Sequence, residues 1–452
     1  MTTSKNDDSM RSTDREYIAH AAEEHSVRFI RLWFADVLGF PKNVAITVDE
    51  LESALEEGVG FDGSSIQGFA RRDESDMIAV PDTNTFCLLP WRSRSGSTVA
   101  RMFCDITLPD GTPYSGDPRH VLRQNLARAS AIGFNFYVGI EMEFFFFKNQ
   151  HSTEVLDQGG YFDQTPLDLA GDMRRDVVEM LEKVGIGVEL SHHEAAPSQY
   201  EMDLRYCDAL TMADSMMTFR LVVKEVAMRA GYYATFMPKP MSDQNGSGMH
   251  THQSLFRGDE NAFFDADDPY HLSTVGKQYI AGLLKHAPEI TLLTNQWVNS
   301  YKRLVSGYEA PVYLSWATRN RSDLIRVPMF KRGKEKATRV EIRSPDPGCN
   351  PYLAFAAMLG AGLEGIEQGY ELCLPVEKNV YEMSPEERKA HGIGTLPDNL
   401  HEAIIAAENS PLVRKILGDN VFEKLIENKK IEWEQYRRHV SDYELQRYLP
   451  IL

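Results

Sequence analysis

The chain has 452 residues, too many for one small core, so two domains of unequal size are expected. Composition is that of an ordinary soluble globular enzyme, 42% hydrophobic and 25% charged, with no tract long enough to span a bilayer and no membrane role expected. A formal charge of −18 argues against a nucleic-acid partner. Five scattered cysteines without a CxxC (Cys87, Cys104, Cys207, Cys349 and Cys373) point to a reducing, cytoplasmic setting rather than a disulfide framework or thiolate-bound zinc.

In chain order, the polar start MTTSKNDDSMRSTDRE has no apolar signal core, and residues 1–20 read as a flexible tail. A first domain over 21–112 alternates strand-like VRFIRLWFADV and NVAITV with a short helix, VDELESALEEG. The turn-rich TLPDGTPYSGDPRH closes it. A larger α+β domain over 113–452 alternates helical HVLRQNLARASAIG and SMMTFRLVVKEVAMRAG with strands FNFYVGIEMEFFFF and GIGVELS. PYLAFAAMLGAGLEGI reads as a buried helix rich in small residues, and IEWEQYRRHVSDYELQRYL closes the chain as one or two amphipathic helices.

Two familiar motifs fail on context. GVGFDG at 58–63 fits G-x-G-x-x-G but follows a helix-like segment and opens no helix, so it is not a dinucleotide fingerprint. No P-loop or H-E-x-x-H exists, and His192 and His193 are adjacent rather than spaced for a zincin helix.

What carries chemistry is a set of acids and imidazoles placed where core residues would serve. In GIEMEFFFF, Glu141 and Glu143 lie two apart on a strand, roughly 7 Å apart on one face, with Phe145 and Phe147 continuing it. Burying two unpaired carboxylates side by side is expensive. SHHEAAPSQYE adds Glu194 and Glu201. NGSGMHTHQSL adds His250 and His252, again two apart, and TRVEIRSPDPGCNPY sets Glu341 between Arg339 and Arg343. GYEAP offers Glu309, and RNRSDLIR is rich in guanidinium groups. Any one of these is ordinarily a salt-bridge partner or a solvated turn. Together they form a hard donor set without thiolate, which suits Mg²⁺ or Mn²⁺. Acids 7 Å apart are too far separated to share one ion comfortably, so each is expected to serve a different cation. Cations flanked by arginines match the demands of phosphoryl transfer from ATP.

With these stretches in order, together with FDGSSI, GGYF and NSYKRLV, the sequence resembles the bacterial type I glutamine synthetases from about residue 26 to the C-terminus. The resemblance implies an α+β fold: an N-terminal β-grasp domain and a C-terminal catalytic domain of the glutamine-synthetase/guanido-kinase type, a curved antiparallel sheet flanked by helices. It implies ATP-dependent joining of ammonia to the γ-carboxylate of L-glutamate through γ-glutamyl phosphate. It also implies a homo-dodecamer of two hexameric rings with active sites between subunits.

By the same resemblance, Glu143, Glu194 and Glu201 are ligands of one cation, and Glu141, His250 and Glu341 of the other. Asn245, Gly246, Arg303, Arg321, Arg343 and Glu309 match the glutamate side. Glu189, His252, Ser254, Arg326, Lys336 and Arg339 match the ATP side. Asp62 (from the adjacent subunit), Ser65, Tyr161 and Glu309 match the ammonium pocket, and Glu309 would also shield the acyl phosphate from water.

The interval from Glu143 to Tyr161 is 18 residues and lacks the insertion carried by the adenylylated branch, so Tyr381 is expected to be unmodified. Arg71 matches an arginine used for glutamine feedback. Trp33 stands where a polar residue is commoner, which keeps a γ-glutamyl-polyamine or other γ-glutamyl-amine ligase as the alternative.

Overall fold

The computed structural model describes residues 15–66, 76–92, 96–305, 310–320, 322–329 and 333–452. The expected tail ends earlier than the sequence suggests. Residues 15–24 form a helix, α1, because Ile18 and Ala22 recur one turn apart and bury against the first domain's core.

That first domain is a mixed sheet of β1 (Val27–Ala35), β2 (Pro41–Thr47), β3 (Val59–Asp62), β4 (Asp76–Pro81), β5 (Cys87–Leu88) and β6 (Thr98–Thr107), with α2 (Leu51–Glu57) inserted after β2. The strand order is β2-β1-β6-β4-β3, and β1 and β6 run parallel. Strand alternation gives β1 two apolar faces. Ile30, Leu32 and Phe34 fill the local core, while Trp33 and Ala35 point the other way into the core of the catalytic domain. Trp33 is therefore a packing residue, edge-on to Phe103 at 5.6 Å, rather than a mark of a changed amine site.

The second domain is built on a sheet of order β13-β14-β15-β11-β7-β9-β8, with β10 and β12 at its margins. Its long strands are β7 (Asn135–Phe147), β8 (Val188–His193), β9 (Gln199–Asp208) and β11 (Met249–Arg257). Short strands complete it: β10 (Tyr233–Thr235), β12 (Glu260–Asn261), β13 (Trp316–Ala317), β14 (Ile325–Arg326) and β15 (Val340–Ile342). The helices are α3 (Pro118–Ala131), α4 (Gly171–Lys183), α5 (Ala209–Arg229), α6 (Thr274–Thr294), α7 (Ser300–Arg303), α8 (Pro351–Gln368), α9 (Pro385–Ala390), α10 (Leu400–Glu408), α11 (Pro411–Arg437) and α12 (Asp442–Tyr448).

Helix α8 is the buried helix expected from its small residues. A Cβ at Gly365 would stand 2.1 Å from the Gln278 carbonyl, so the α6–α8 approach requires glycine there. The β7 register sorts its side chains as the period-2 rule requires. Ile140, Met142, Phe144 and Phe146 enter the main core, whereas Phe145 and Phe147 stack at 5.6 Å in a separate cluster on the acidic side.

The two domains are clasped by Arg119 of α3, which is 2% exposed. It reaches Asp82 (2.8 Å) and Asp105 (2.6 Å) of the first domain and Asp214 (2.8 Å) of α5. Replacing Arg119 by Met leaves three carboxylates facing one another, two of them nearly buried. It is expected to destabilise the fold by about 3–5 kcal/mol. Calorimetry should show this as a lowered melting temperature, and an unchanged transition would dismiss the clasp.

Candidate active site

The front of the catalytic sheet is organised in rungs set by strand register. His192 of β8, Glu201 of β9 and Glu143 of β7 are aligned partners across one rung. Asp203, Glu141 and His250 align across the next, and His252, Glu341 and Arg326 across a third. Directly opposed like charges, such as Glu143 with Glu201 and Glu141 with Asp203, destabilise a sheet. Something must therefore offset this row of acids.

On one side the protein does so itself. The Glu141 carboxylate is 2.8 Å from His250 Nδ1 and 2.6 Å from His252 Nε2. Glu341, fully buried, meets Arg326 Nε at 2.5 Å and Arg343 Nη1 at 2.6 Å. Burial alone would raise both acids, but hydrogen bonds from His250 and His252 hold Glu141 well below the carboxylate range. The charges of His252, Arg343 and His250 hold Glu341 at about 2.

On the other side the charge is not balanced. Burial, with the neighbouring charges of Glu143 and Glu201, pushes Glu194 up to about 8. Burial and the charges of Glu143 and Glu141 push Glu201 up to about 10. Burial next to Glu141 pushes Asp203 up to about 7, and its Oδ1 is buried without a hydrogen-bond partner.

Among the described residues, three sets have ligand atoms within 4.8 Å of one another: Glu141 with His250 and Glu341, Glu143 with Glu201 and His250, and His192 with Glu194 and Glu201. Hard oxygens with few imidazoles, and acids that cannot all ionise unaided, fit divalent cations such as Mg²⁺ or Mn²⁺.

Two cavities adjoin this belt. One, of about 510 Å³, is lined by Glu143, Glu194 and Glu201 together with Tyr161, Asn245, Gly246, Arg303, Arg326 and Arg343. The other, of about 280 Å³, is lined by Glu189, His252, Ser254, Lys336 and Arg339, with Tyr137 and Tyr206 as aromatic walls. Glu141 and Asp203 line both.

The glycine turn before β11 is sterically fixed. A Cβ at Gly246 would lie 2.3 Å from the Pro238 carbonyl, and one at Gly248 would lie 2.5 Å from Arg303 Nη2. Arg303 is buried and donates to the Ser344 carbonyl at 2.7 Å.

Of the ATP-side residues expected from the sequence, Arg326 alone lines the larger cavity rather than the smaller one. Asp62 and Ser65 line neither. They lie exposed on the first domain, where Ser65 Oγ donates to Asp62 Oδ2 at 2.8 Å. Hydrogen bonds from the Ser64 and Ser65 hydroxyls lower the Asp62 pKa. Glu309, Arg321 and Arg71 lie outside the described residues. The Tyr381 hydroxyl donates to the Ala310 carbonyl at 2.8 Å.

Sequence reasoning missed three members of the site. Gln199 Nε2 donates to Glu143 Oε2 (2.9 Å) and to the Gly246 carbonyl (3.1 Å). His192 Nε2 is 3.0 Å from Glu201 Oε1, and Asp203 bridges the cavities. Gln199 and Asp203 lie two residues either side of Glu201, so the parity rule applied to Glu141 and Glu143 would have found both.

Fold and site thus define an enzyme with two adjoining clefts along a belt of groups that could hold divalent cations. The glutamine synthetase β-grasp domain family matches residues 26–109, and the glutamine synthetase catalytic domain family matches residues 115–448. The chain belongs to the glutamine synthetase family.

It is 55% identical to a glutamine synthetase of Mycolicibacterium smegmatis, over 97% of this chain and 99% of that one. It is 50% identical to one of Thermotoga maritima, over 96% and 99%. A solved structure described as a GmaS/ADP complex superposes with a TM-score of 0.87 at 31% identity, over 96% of this chain and 99% of that one. The glutamine synthetase of Plasmodium falciparum shares the fold, with a TM-score of 0.87 at 24% identity over 97% and 98%.

The raised carboxyls make a pH prediction. Glu194 and Glu201 keep protons in the folded state that the unfolded chain, titrating near 4.3, releases. Without cations, their contribution to stability falls as pH rises from about 4 through about 8 to 10. A bound cation displaces those protons, so the Mn²⁺-induced rise in melting temperature is expected to be larger at pH 8.5 than at pH 6. Glu201→Gln should raise the melting temperature of the cation-free protein at pH 8.5 and blunt its response to Mn²⁺. Scanning calorimetry with and without metal reads both, and a pH-independent response would contradict the charge imbalance.

Proposed function

We propose that this chain makes L-glutamine from L-glutamate, ammonia and ATP, by way of γ-glutamyl phosphate. The observation that carries the reading is the acid–imidazole belt standing between two cavities. One cavity is suited to an amino-acid anion and the other to a nucleotide. Arg303, Arg343, Asn245, Gly246 and Arg321 bind and orient glutamate. Glu189, His252, Ser254, Lys336, Arg339 and Arg326 bind ATP. The γ-phosphoryl group passes to a γ-carboxylate oxygen of glutamate, ADP departs, and a poor leaving oxygen becomes phosphate.

Two cations, Mg²⁺ or Mn²⁺, would be held by Glu143, Glu194 and Glu201 and by Glu141, His250 and Glu341. They would supply charge neutralisation for the phosphate oxygens.

Asp62, Ser65, Tyr161 and Glu309 form the ammonium pocket, with Asp62 supplied by the neighbouring subunit of a dodecamer of two stacked hexameric rings. Its exposure, its lowered pKa and its place outside both cavities beside the acid–imidazole belt of its own chain support that assignment. A pocket carboxylate takes a proton from ammonium, and the resulting amine attacks the acyl carbon and expels phosphate. Glu309 excludes water from the acyl phosphate.

Phosphate release with ATP and glutamate is expected to require ammonium and to be supported far less by putrescine, spermidine or ethanolamine. Release with none of these amines accepted would refute the ligase. Asp62→Asn should abolish most glutamine formation while leaving nucleotide binding intact. Co-assembled Asp62→Asn and Arg343→Gln subunits should recover roughly a quarter of wild-type activity if each site draws Asp62 from a neighbour. No recovery would place the whole site within one chain.

A further inference from the structure

Away from the catalytic clefts, a cavity of about 630 Å³ opens between the two domains. Both domains contribute charged side chains to it, and their accounts do not balance. Asp82 is engaged by Arg119 and Arg123, at 2.8 and 2.7 Å. Asp214 is engaged by Arg119 at 2.8 Å and by the Tyr352 hydroxyl at 2.6 Å. Two cations lining the same cavity are left over. Arg101 is 6% exposed, with Nη1 on the Thr85 carbonyl at 2.6 Å and Nη2 only 3.5 Å from Thr218 Oγ1. Its Nε is buried without a hydrogen-bond partner, and no described carboxylate comes within ion-pairing distance of it.

The guanidinium lies 4.6 Å from the Phe103 ring centroid and 5.5 Å from that of Trp33, which hold its plane in place. Lys183, at the end of α4, is exposed and makes no ion pair among the described residues. Cys87 lines the same cavity: it is the cross-strand partner of Arg101, and its Sγ lies 3.8 Å from the carbonyl of Val184, the residue after Lys183.

Arg101 is buried with no ion-paired carboxylate, and burial lowers its pKa despite the opposing influence of Cys87 and Asp214, a desolvation penalty that an anion would relieve. We propose that this interdomain cavity is a second, non-catalytic site for a small oxyanion, phosphate or carboxylate, gripped by Arg101 from the first domain and Lys183 from the second. The oxygens would complete the guanidinium fork, and the bound anion would tie the domains together. This assignment is independent of the chemistry of the catalytic clefts.

The test is isothermal titration of the full-length oligomer with inorganic phosphate and, separately, with succinate. Saturating L-glutamate and a non-hydrolysable ATP analogue keep the catalytic clefts filled. The wild type is expected to bind one equivalent per chain of at least one probe, and its melting temperature should rise with that probe. Lys183→Met should weaken this binding about tenfold or more while glutamine formation stays unchanged. Arg101→Gln should abolish it, and Lys183→Met decides the matter if Arg101→Gln does not fold. Binding of phosphate alone identifies a phosphoryl ligand, and binding of succinate alone a carboxylate ligand. No binding beyond the filled clefts, or the same isotherm in wild type and Lys183→Met, overturns the proposal.

Discussion

The site depends on one constraint, the register of β7 between β9 and β11. Because side chains alternate, a single strand can send Met142 and Phe144 into an oil-like core and Glu141 and Glu143 to the opposite face. A slip of one residue would exchange those faces, burying both acids among Phe219, Phe236 and Tyr200 and turning Met142 and Phe144 out of the core. The apolar back therefore sets the position of the charged front. The large core helices α5, α6 and α8 serve the chemistry indirectly by making any other register expensive.

The acidic front is uneven, and the unevenness has a structural origin. Glu341 and Glu141 face β11 and β14, whose inward positions carry His250, His252 and Arg326, so their charge is met within the sheet. Glu143, Glu194 and Glu201 face β8 and its following turn, where His192 is the nearby base. Half the belt is thus preassembled, and in the other half burial and like charge push Glu194 and Glu201 well above the usual carboxylate range. Gln199 and the Gly248 amide, both donating to Glu143, fix the orientation of one acid in the unbalanced half.

The domain junction repeats this theme with different groups. Arg119 gathers three aspartates from separate elements, whereas Arg101 rests on aromatic rings, the Thr85 carbonyl and a long contact to the Thr218 hydroxyl. Trp33 belongs to the same junction. Its large ring packs edge-on against Phe103 and under the Arg101 guanidinium.

Local pattern along the chain was enough to mark the residues able to do chemistry. Period-2 spacing placed Glu141 with Glu143 and His250 with His252, and the small-residue run marked α8 as buried. Spacing is local, and these features need only the geometry of a single strand or helix. It misjudged the start of the fold, since residues 15–20 become helical only because a first-domain core exists to cover Ile18 and Ala22. It also passed over Gln199, His192 and Asp203, whose importance comes from what stands opposite them. Which acids are paired with bases, and which are left facing one another, is set once the strands are packed together. That packing likewise decided which cavity each arginine lines and where a cation goes unmatched. Electrostatic balance depends on through-space distance and burial, and strands far apart in sequence settle both when they are brought side by side.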